Sequence, residues 1–186
     1  MALIRSFIAI PFAEALCRQV ATLQQTLGRE MPELRPVAAH NLHLTLNFLG
    51  DRSEEQLASI GRFMLSVVGS QAPFSLTLQG LGTFPGQRRP RVVWLGVQPP
   101  EPVVALQKKL AAGLAELGCP EERTPYRPHL TLGRFRRPPA DSETMHKLRD
   151  IVVGPLPVAS VILYSSRLTP QGAVHQPLTV AELKGR

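Results

Sequence analysis

The chain has 186 residues, enough for one domain or for two small lobes on a shared core, and long enough to fold without disulfides. Hydrophobic residues at 44% and charged residues at 19% exclude a disordered tail and a membrane protein, and 5% aromatics argue against a surface of stacked rings. Lys and Arg number 21 against 14 Asp and Glu, a net charge of +7 that favours a polyanionic partner without saying which.

Arg5–Ile10 reads as a strand ended by Pro11. Phe12–Leu27 carries apolar residues at Leu16, Val20, Leu23 and Leu27, the spacing of an amphipathic helix, with Gly28 as its stop. Leu42–Leu49 is a strand with Leu42, Leu44, Leu46 and Phe48 on one face. Asp51 or Ser53 then caps a helix running to about Val68, with Glu54 and Glu55 in its first turn. Phe74–Leu81 alternates as a strand.

The order repeats in the second half. Arg91–Val97 is a strand, and Pro102–Leu117 a helix with Pro near its start and Gly118 past its end. Leu130–Phe135 is a strand, Ser142–Val152 a helix, Val158–Leu168 a strand, and Leu178–Leu183 a last strand. Strand–helix–strand–helix–strand thus occurs twice, over about 1–81 and 91–186, joined by the Gly-, Pro- and Arg-rich stretch Gly82–Pro90. Cys17 and Cys119 show neither CxxC nor metal spacing and read as buried free thiols. The start places Arg5 and Pro11 where a signal peptide needs an apolar run, and no apolar run exceeds four residues, so a cytoplasmic protein is expected.

The tetrapeptide His-Leu-Thr-Leu stands at His43–Leu46 and again at His129–Leu132, on the equivalent strand of each half. On a strand, residues i and i+2 share a face. His43 and Thr45 therefore face away from Leu44 and Leu46, as His129 and Thr131 face away from Leu130 and Leu132. Either histidine alone is most simply an ordinary strand residue; the duplication argues otherwise. If the lobes pack by a two-fold rotation, two imidazoles and two hydroxyls line one cleft. A neutral imidazole takes a proton from water, a protonated one supplies a leaving oxygen, and hydroxyls donate to phosphoryl oxygens. That is acid–base cleavage of a phosphodiester. Zinc is the competing use of paired histidines, but no third ligand stands at metal spacing. His40, His146 and His175 read as surface residues, with His40 close enough to His43 to reach the cleft mouth.

With these motifs the chain resembles the two-histidine (2H) phosphoesterase superfamily. The segments Arg5–Pro11, Asn41–Gly50, Pro90–Gly96, Tyr126–Phe135 and Leu163–Leu168 are similar to those of its RNA 2′,3′-cyclic phosphodiesterases, historically called 2′-5′ RNA ligases. The resemblance spans nearly the whole chain. It implies a bilobal α+β fold with an antiparallel sheet in each lobe, flanking helices and a central cleft. It implies a single domain over 1–186 of two interwoven lobes, a monomer with no membrane association, acting on RNA that ends in a 2′,3′-cyclic phosphate or on a cyclic nucleotide.

The implied product is a 2′-phosphomonoester, with no metal and no other cofactor. The resemblance assigns His43 as proton donor to the leaving 3′ oxygen, His129 as proton acceptor from water, and Thr45, Thr131 and Arg134 as substrate binders; the residues alone leave acid and base unassigned. Strict alternation from His129 turns Arg134 to the opposite face, so its role requires a bulge or strand end near Gly133. Where relatives often carry a tyrosine after Leu-x-x-x-Gly, this chain has His175 near that place. Arg88, Arg89 and Arg91 are expected at a basic rim that steers RNA phosphates. Two alternatives share the features: 2′-5′ ligation or cleavage of another 2′-linked nucleotide in the same cleft, and an RNA-binding module that no longer catalyses.

Overall fold

A computed structural model describes residues 3–86, 89–119, 124–139, 143–170 and 172–185. Nine strands form two antiparallel sheets among the described residues. They are β1 (Ile4–Pro11), β2 (Leu34–Pro36), β3 (His43–Arg52), β4 (Phe74–Phe84), β5 (Val92–Gln98), β6 (His129–Phe135), β7 (Val152–Val158), β8 (Ser160–Thr169) and β9 (Gly172–Glu182). The first sheet runs β3-β1-β8-β9 and the second β2-β6-β5-β4-β7. Each sheet therefore draws on both ends of the chain: β4 joins the second sheet, and β8 and β9 return to the first. Mixed α and β elements with segregated antiparallel sheets make an α+β fold.

Among the described residues the α-helices are α1 (Glu14–Glu30), α2 (Glu54–Gly69), α3 (Glu101–Glu116) and the short α4 (Glu143–Lys147). The stripe of α1, buried at Leu16, Val20, Leu23 and Leu27, packs on the second sheet against β2, β6 and β7. Leu57, Ile60, Met64 and Val68 bury the inner face of α2, which packs on β8 and β9 and touches α3. Burial of each such side chain stabilises the fold by about 2 kcal/mol. Ser53, rather than Asp51, caps α2: Gln56 N–H donates to Ser53 Oγ at 3.2 Å, and Ser53 N–H donates to Gln56 Oε1 at 3.0 Å.

The departures from expectation lie in the irregular stretches. Helix α1 continues through Gly28 to Glu30, because buried Met31 anchors its end. The three-residue β2 was not expected. The helix expected over Ser142–Val152 is described only for Glu143–Lys147, with Ser142 outside the described residues. Val152 opens β7, where Pro155 and Pro157 exclude a helix and Val153, Leu156 and Val158 bury one face. The strand expected over Val158–Leu168 is the end of β7 followed by β8, and β9 begins six residues before its expected start. Cys17 and Cys119 are free, and only Cys119 is fully buried. No described helix is long and apolar enough to cross a membrane.

Candidate active site

The two motif strands repeat each other beyond the tetrapeptide. His43–Leu49 and His129–Phe135 have the same order of buried, partly buried and exposed residues, position by position. In each, the histidine and threonine are partly exposed and the leucines between them are buried. Each strand then breaks its alternation with a bulge. Opposite β1, Ala9 pairs with Thr45 and Ile8 with Asn47, leaving Leu46 as the extra residue. Opposite β5, Trp94 pairs with Thr131 and Val93 with Gly133, leaving Leu132 as the extra residue. A one-residue insertion turns the residues beyond it to the other face. Arg134 is thereby brought to the side of His129 and Thr131, and Phe48 to the side of His43 and Thr45.

The second bulge is clamped from behind. Leu132 O accepts from Val37 N–H at 2.9 Å and from the side-chain amide of Gln24 at 2.7 Å. The same amide donates to Val37 O at 2.9 Å. Gln24, on α1, is only 7% exposed, so both its bonds are made away from water. Gly133 completes the device: a Cβ there would stand 2.7 Å from Arg35 O and 2.8 Å from a Leu34 methyl. Only glycine lets β2 approach so closely.

Both histidines are held in one tautomer by the same bond. His43 Nδ1 lies 2.7 Å from Asn41 O, and His129 Nδ1 lies 2.7 Å from Arg127 O. A carbonyl only accepts, so in the neutral ring Nδ1 carries the proton and Nε2 is the basic atom left for a ligand. Beneath each imidazole lie aromatic rings. Phe7 stands 4.8 Å from His43 between ring centroids and stacks on Tyr164 at 5.2 Å. Phe84 meets His129 edge-on at 5.0 Å and Trp94 at 5.1 Å. Trp94 lies flat over Gly82, where any side chain would collide with the indole.

The surroundings differ in one respect. His175, expected at the surface, sits on β9 with its ring edge-on to His43 at 5.5 Å. Strand β9 pairs with β8, and β8 with β1, so the two imidazoles and Phe7 meet in a triangle, with Phe7 4.8 Å from His43 and 4.9 Å from His175. Burial pushes the pKa of His43 down to about 4; the positive charge of His175 adds to this, and the Asn41 carbonyl partly opposes it. His175 is itself pushed down, by burial and then by His40.

Two cavities adjoin at Phe48, which lines both. One, of about 800 Å³, is lined by His43, Thr131 and Arg134 among others; the second, of about 440 Å³, by Thr45 and His129. Each pairs the histidine of one motif with the threonine of the other or the reverse, as expected for two strands related by a two-fold. Tyr126 ties the sheets together by donating from its hydroxyl to Thr45 O at 2.8 Å. The larger cavity also carries Arg5, Arg35, His40 and His175, with Asp51 as the only carboxylate among its described lining residues. His40 does reach the mouth, whereas His146 is an exposed residue of α4. Arg89 and Arg91 are exposed but line neither cavity, and Arg88 lies outside the described residues. Among the described residues, no three His, Cys, Asp or Glu side chains gather to hold a metal ion.

The chain as a whole is similar to known proteins in sequence and in fold. The family model of the 2′-5′ RNA ligase superfamily matches residues 12–169. The chain belongs to that superfamily. Among its members, the RNA 2′,3′-cyclic phosphodiesterase of Methanothermobacter thermautotrophicus is 36% identical over 97% of this chain and 99% of its own. TT0787 of Thermus thermophilus superposes with a TM-score of 0.81 at 31% identity, covering 98% of this chain and 99% of the other. LigT of E. coli, also solved in complex with 3′-AMP, superposes in its apo form at 0.78 and 29% identity, covering 98% of each chain. The structural matches span the whole chain and share its two antiparallel sheets flanked by helices.

Phe48 and His175 escaped the sequence reading. For Phe48 a signal existed: it follows His43 by five residues, as Arg134 follows His129. For His175 the resemblance gave a signal, its place near a tyrosine of relatives, but only the pairing of β9 with β8 brings it beside His43.

Proposed function

We propose that this enzyme hydrolyses the 2′,3′-cyclic phosphodiester at an RNA end to a 2′-phosphomonoester, with His43 and His129 as its acid–base pair and no metal in the step. The observation that carries this reading is the pair of equal Nδ1–H···O=C bonds. Each leaves one Nε2 free for the substrate, on matched strands beside threonine hydroxyls. The cyclic-phosphodiesterase activity named for the relatives supports the substrate class.

In this mechanism His129 Nε2 takes a proton from water as the water oxygen bonds to phosphorus. The P–O3′ bond breaks, and protonated His43 gives its Nε2 proton to O3′. Thr45 and Thr131 donate to the non-bridging oxygens, and Arg134, next along the face from Thr131, offers a forked donor to the same anion. An anionic ligand favours the imidazolium of His43, offsetting the burial that keeps the empty cleft uncharged there. Phe48, a ring 61% exposed between the cavities, offers its face to the base.

Purified protein in EDTA should convert RNA ending in a 2′,3′-cyclic phosphate to a 2′-phosphate end, read by end-group analysis. Both His43→Ala and His129→Ala should lose turnover. Normal activity in either variant refutes the pair, and a product joined through a 2′-5′ bond would favour ligation.

A further inference from the structure

The catalytic reading leaves charged side chains of the larger cavity unused, among them Arg35. Arg35, on edge strand β2, pairs directly opposite Arg134 on β6. Directly opposed residues put their side chains on the same face of a sheet, and both line the cavity. Like charges in that position disfavour the pairing. No described carboxylate relieves them: neither arginine makes an ion pair, and the cavity's one acid, Asp51, lies on the other sheet. Yet the position is built firmly. The Gln24 clamp between Val37 and Leu132, with the close approach at Gly133, fixes β2 to β6 on one side of Arg35, and Arg136 N–H donating to Glu33 O at 3.1 Å fixes it on the other.

Arg134 continues the face of Thr131 and serves the reacting phosphate in the reading above. Arg35 lies one strand further out, in a wall that continues through Pro36, Val37, Ala38 and His40. A guanidinium so placed, with no internal partner, fits an anion brought by the ligand. In RNA that ends in a cyclic phosphate, the nearest second anion is the phosphate on the 5′ oxygen of the terminal nucleotide. A bare cyclic nucleoside lacks it.

We propose that Arg35 is the centre of a second phosphate subsite, which takes the 5′-phosphate of the nucleotide whose cyclic phosphate is cleaved. The proposal rests on the cyclic-phosphodiesterase reading. It makes the protein discriminate between a chain end and a bare cyclic nucleoside phosphate.

The test compares ligands with and without the 5′-phosphate. In calorimetry, wild-type protein should bind adenosine 2′,5′-bisphosphate about tenfold more tightly than adenosine 2′-phosphate, and Arg35→Gln should bring that ratio near one. The wild-type preference should shrink between 50 and 200 mM salt, because it reports a phosphate contact. In turnover, the kcat/KM ratio of 5′-phosphorylated over unphosphorylated adenosine 2′,3′-cyclic phosphate should fall about tenfold in Arg35→Gln. A dinucleotide with the same cyclic end identifies the source. A gain equal to that of the 5′-phosphorylated nucleotide means that any 5′-phosphate is read; a gain for the dinucleotide alone, lost in Arg35→Gln, means an internal RNA phosphodiester. Equal ratios in wild type and Arg35→Gln overturn the subsite. Absence of wild-type turnover on every substrate would sink the catalytic reading instead, and the binding ratio would still decide the subsite.

Discussion

Lowering the pH should unfold this protein partly through His43, and His43→Gln should relieve that sensitivity. In the folded protein burial and the nearby His175 hold the His43 pKa at about 4, against an ordinary 6.5. Between those values the unfolded chain binds a proton that the native ring refuses. Stability therefore falls as pH drops from 6.5 toward 4, and the loss levels off below that. At about 1.4 kcal/mol per pH unit the full effect is about 3 kcal/mol, with about 2 kcal/mol already lost at pH 5.

Urea titrations of wild type and His43→Gln at pH 7.5, 6.5, 5.5 and 5.0 would measure it. Carboxylates titrate in both proteins and cancel in the difference. At pH 7.5 the two differ only by the packing on Phe7 and the bond to Asn41 O. By pH 5 the difference should have moved by about 2 kcal/mol in favour of the variant. Parallel pH dependences would refute the reasoning, because they would mean that His43 binds its proton equally well folded and unfolded. His175→Gln should raise the folded pKa of His43 and so narrow the window from its acid end without abolishing it, since burial is the larger of the two causes.

Two further outcomes concern residues behind and beside the histidines. Gln24→Met keeps the side-chain length but removes the donors to Leu132 O and Val37 O, which should cost about 1–3 kcal/mol. A thermal melt should show the loss, and kcat should fall with it as the bulge that aims Arg134 loosens; an unchanged kcat would mean that the bulge stands without its clamp. Phe48→Ala should leave the melting temperature near wild type because the ring is exposed, yet lower kcat/KM on RNA by about 5- to 150-fold, the worth of one stacked base. Phe48→Tyr should retain the activity; equal loss in both variants would refute stacking.

Local periodicity made much of the fold legible. Leu44 and Leu46, like Leu130 and Leu132, alternate with polar residues, so the motif strands and their facing were plain. The stripes of α1 and α2 were equally plain. What escaped depends on partners distant in the chain. Strand β1, buried on both faces from Ser6 to Ile10, is an interior strand, paired along one edge with β3 and along the other with β8, more than a hundred residues away. Nothing local distinguishes His175 from an exposed strand histidine until β9 has joined that sheet. Between these limits stands Gly133. It marked where a bulge was needed for Arg134 to share the face of His129, and the structure places the extra residue at Leu132, immediately before it.

The likeness of the two motif strands makes their differences informative. A strict duplication would place the same residue after each bulge and the same neighbours around each imidazole. Instead the first strand offers Phe48 and the second Arg134, an aromatic face against a forked cation. Beside His43 stand two further histidines, His175 and His40, while His129 rests on Phe84 and Trp94. A nucleotide is asymmetric in the same sense, with a flat uncharged base on one side and phosphates on the other. Two-fold related strands can handle the reacting phosphate symmetrically through His43, His129, Thr45 and Thr131. They can orient a nucleotide only where the symmetry fails. Exchanging the residues in the double variant Phe48→Arg, Arg134→Phe tests this directly. It preserves composition and net charge, and both sites are exposed. If the asymmetry sets the orientation, the exchange should abolish turnover of the cyclic-phosphate RNA end while the melting temperature stays near wild type. Retained activity would place the determinant elsewhere in the cleft.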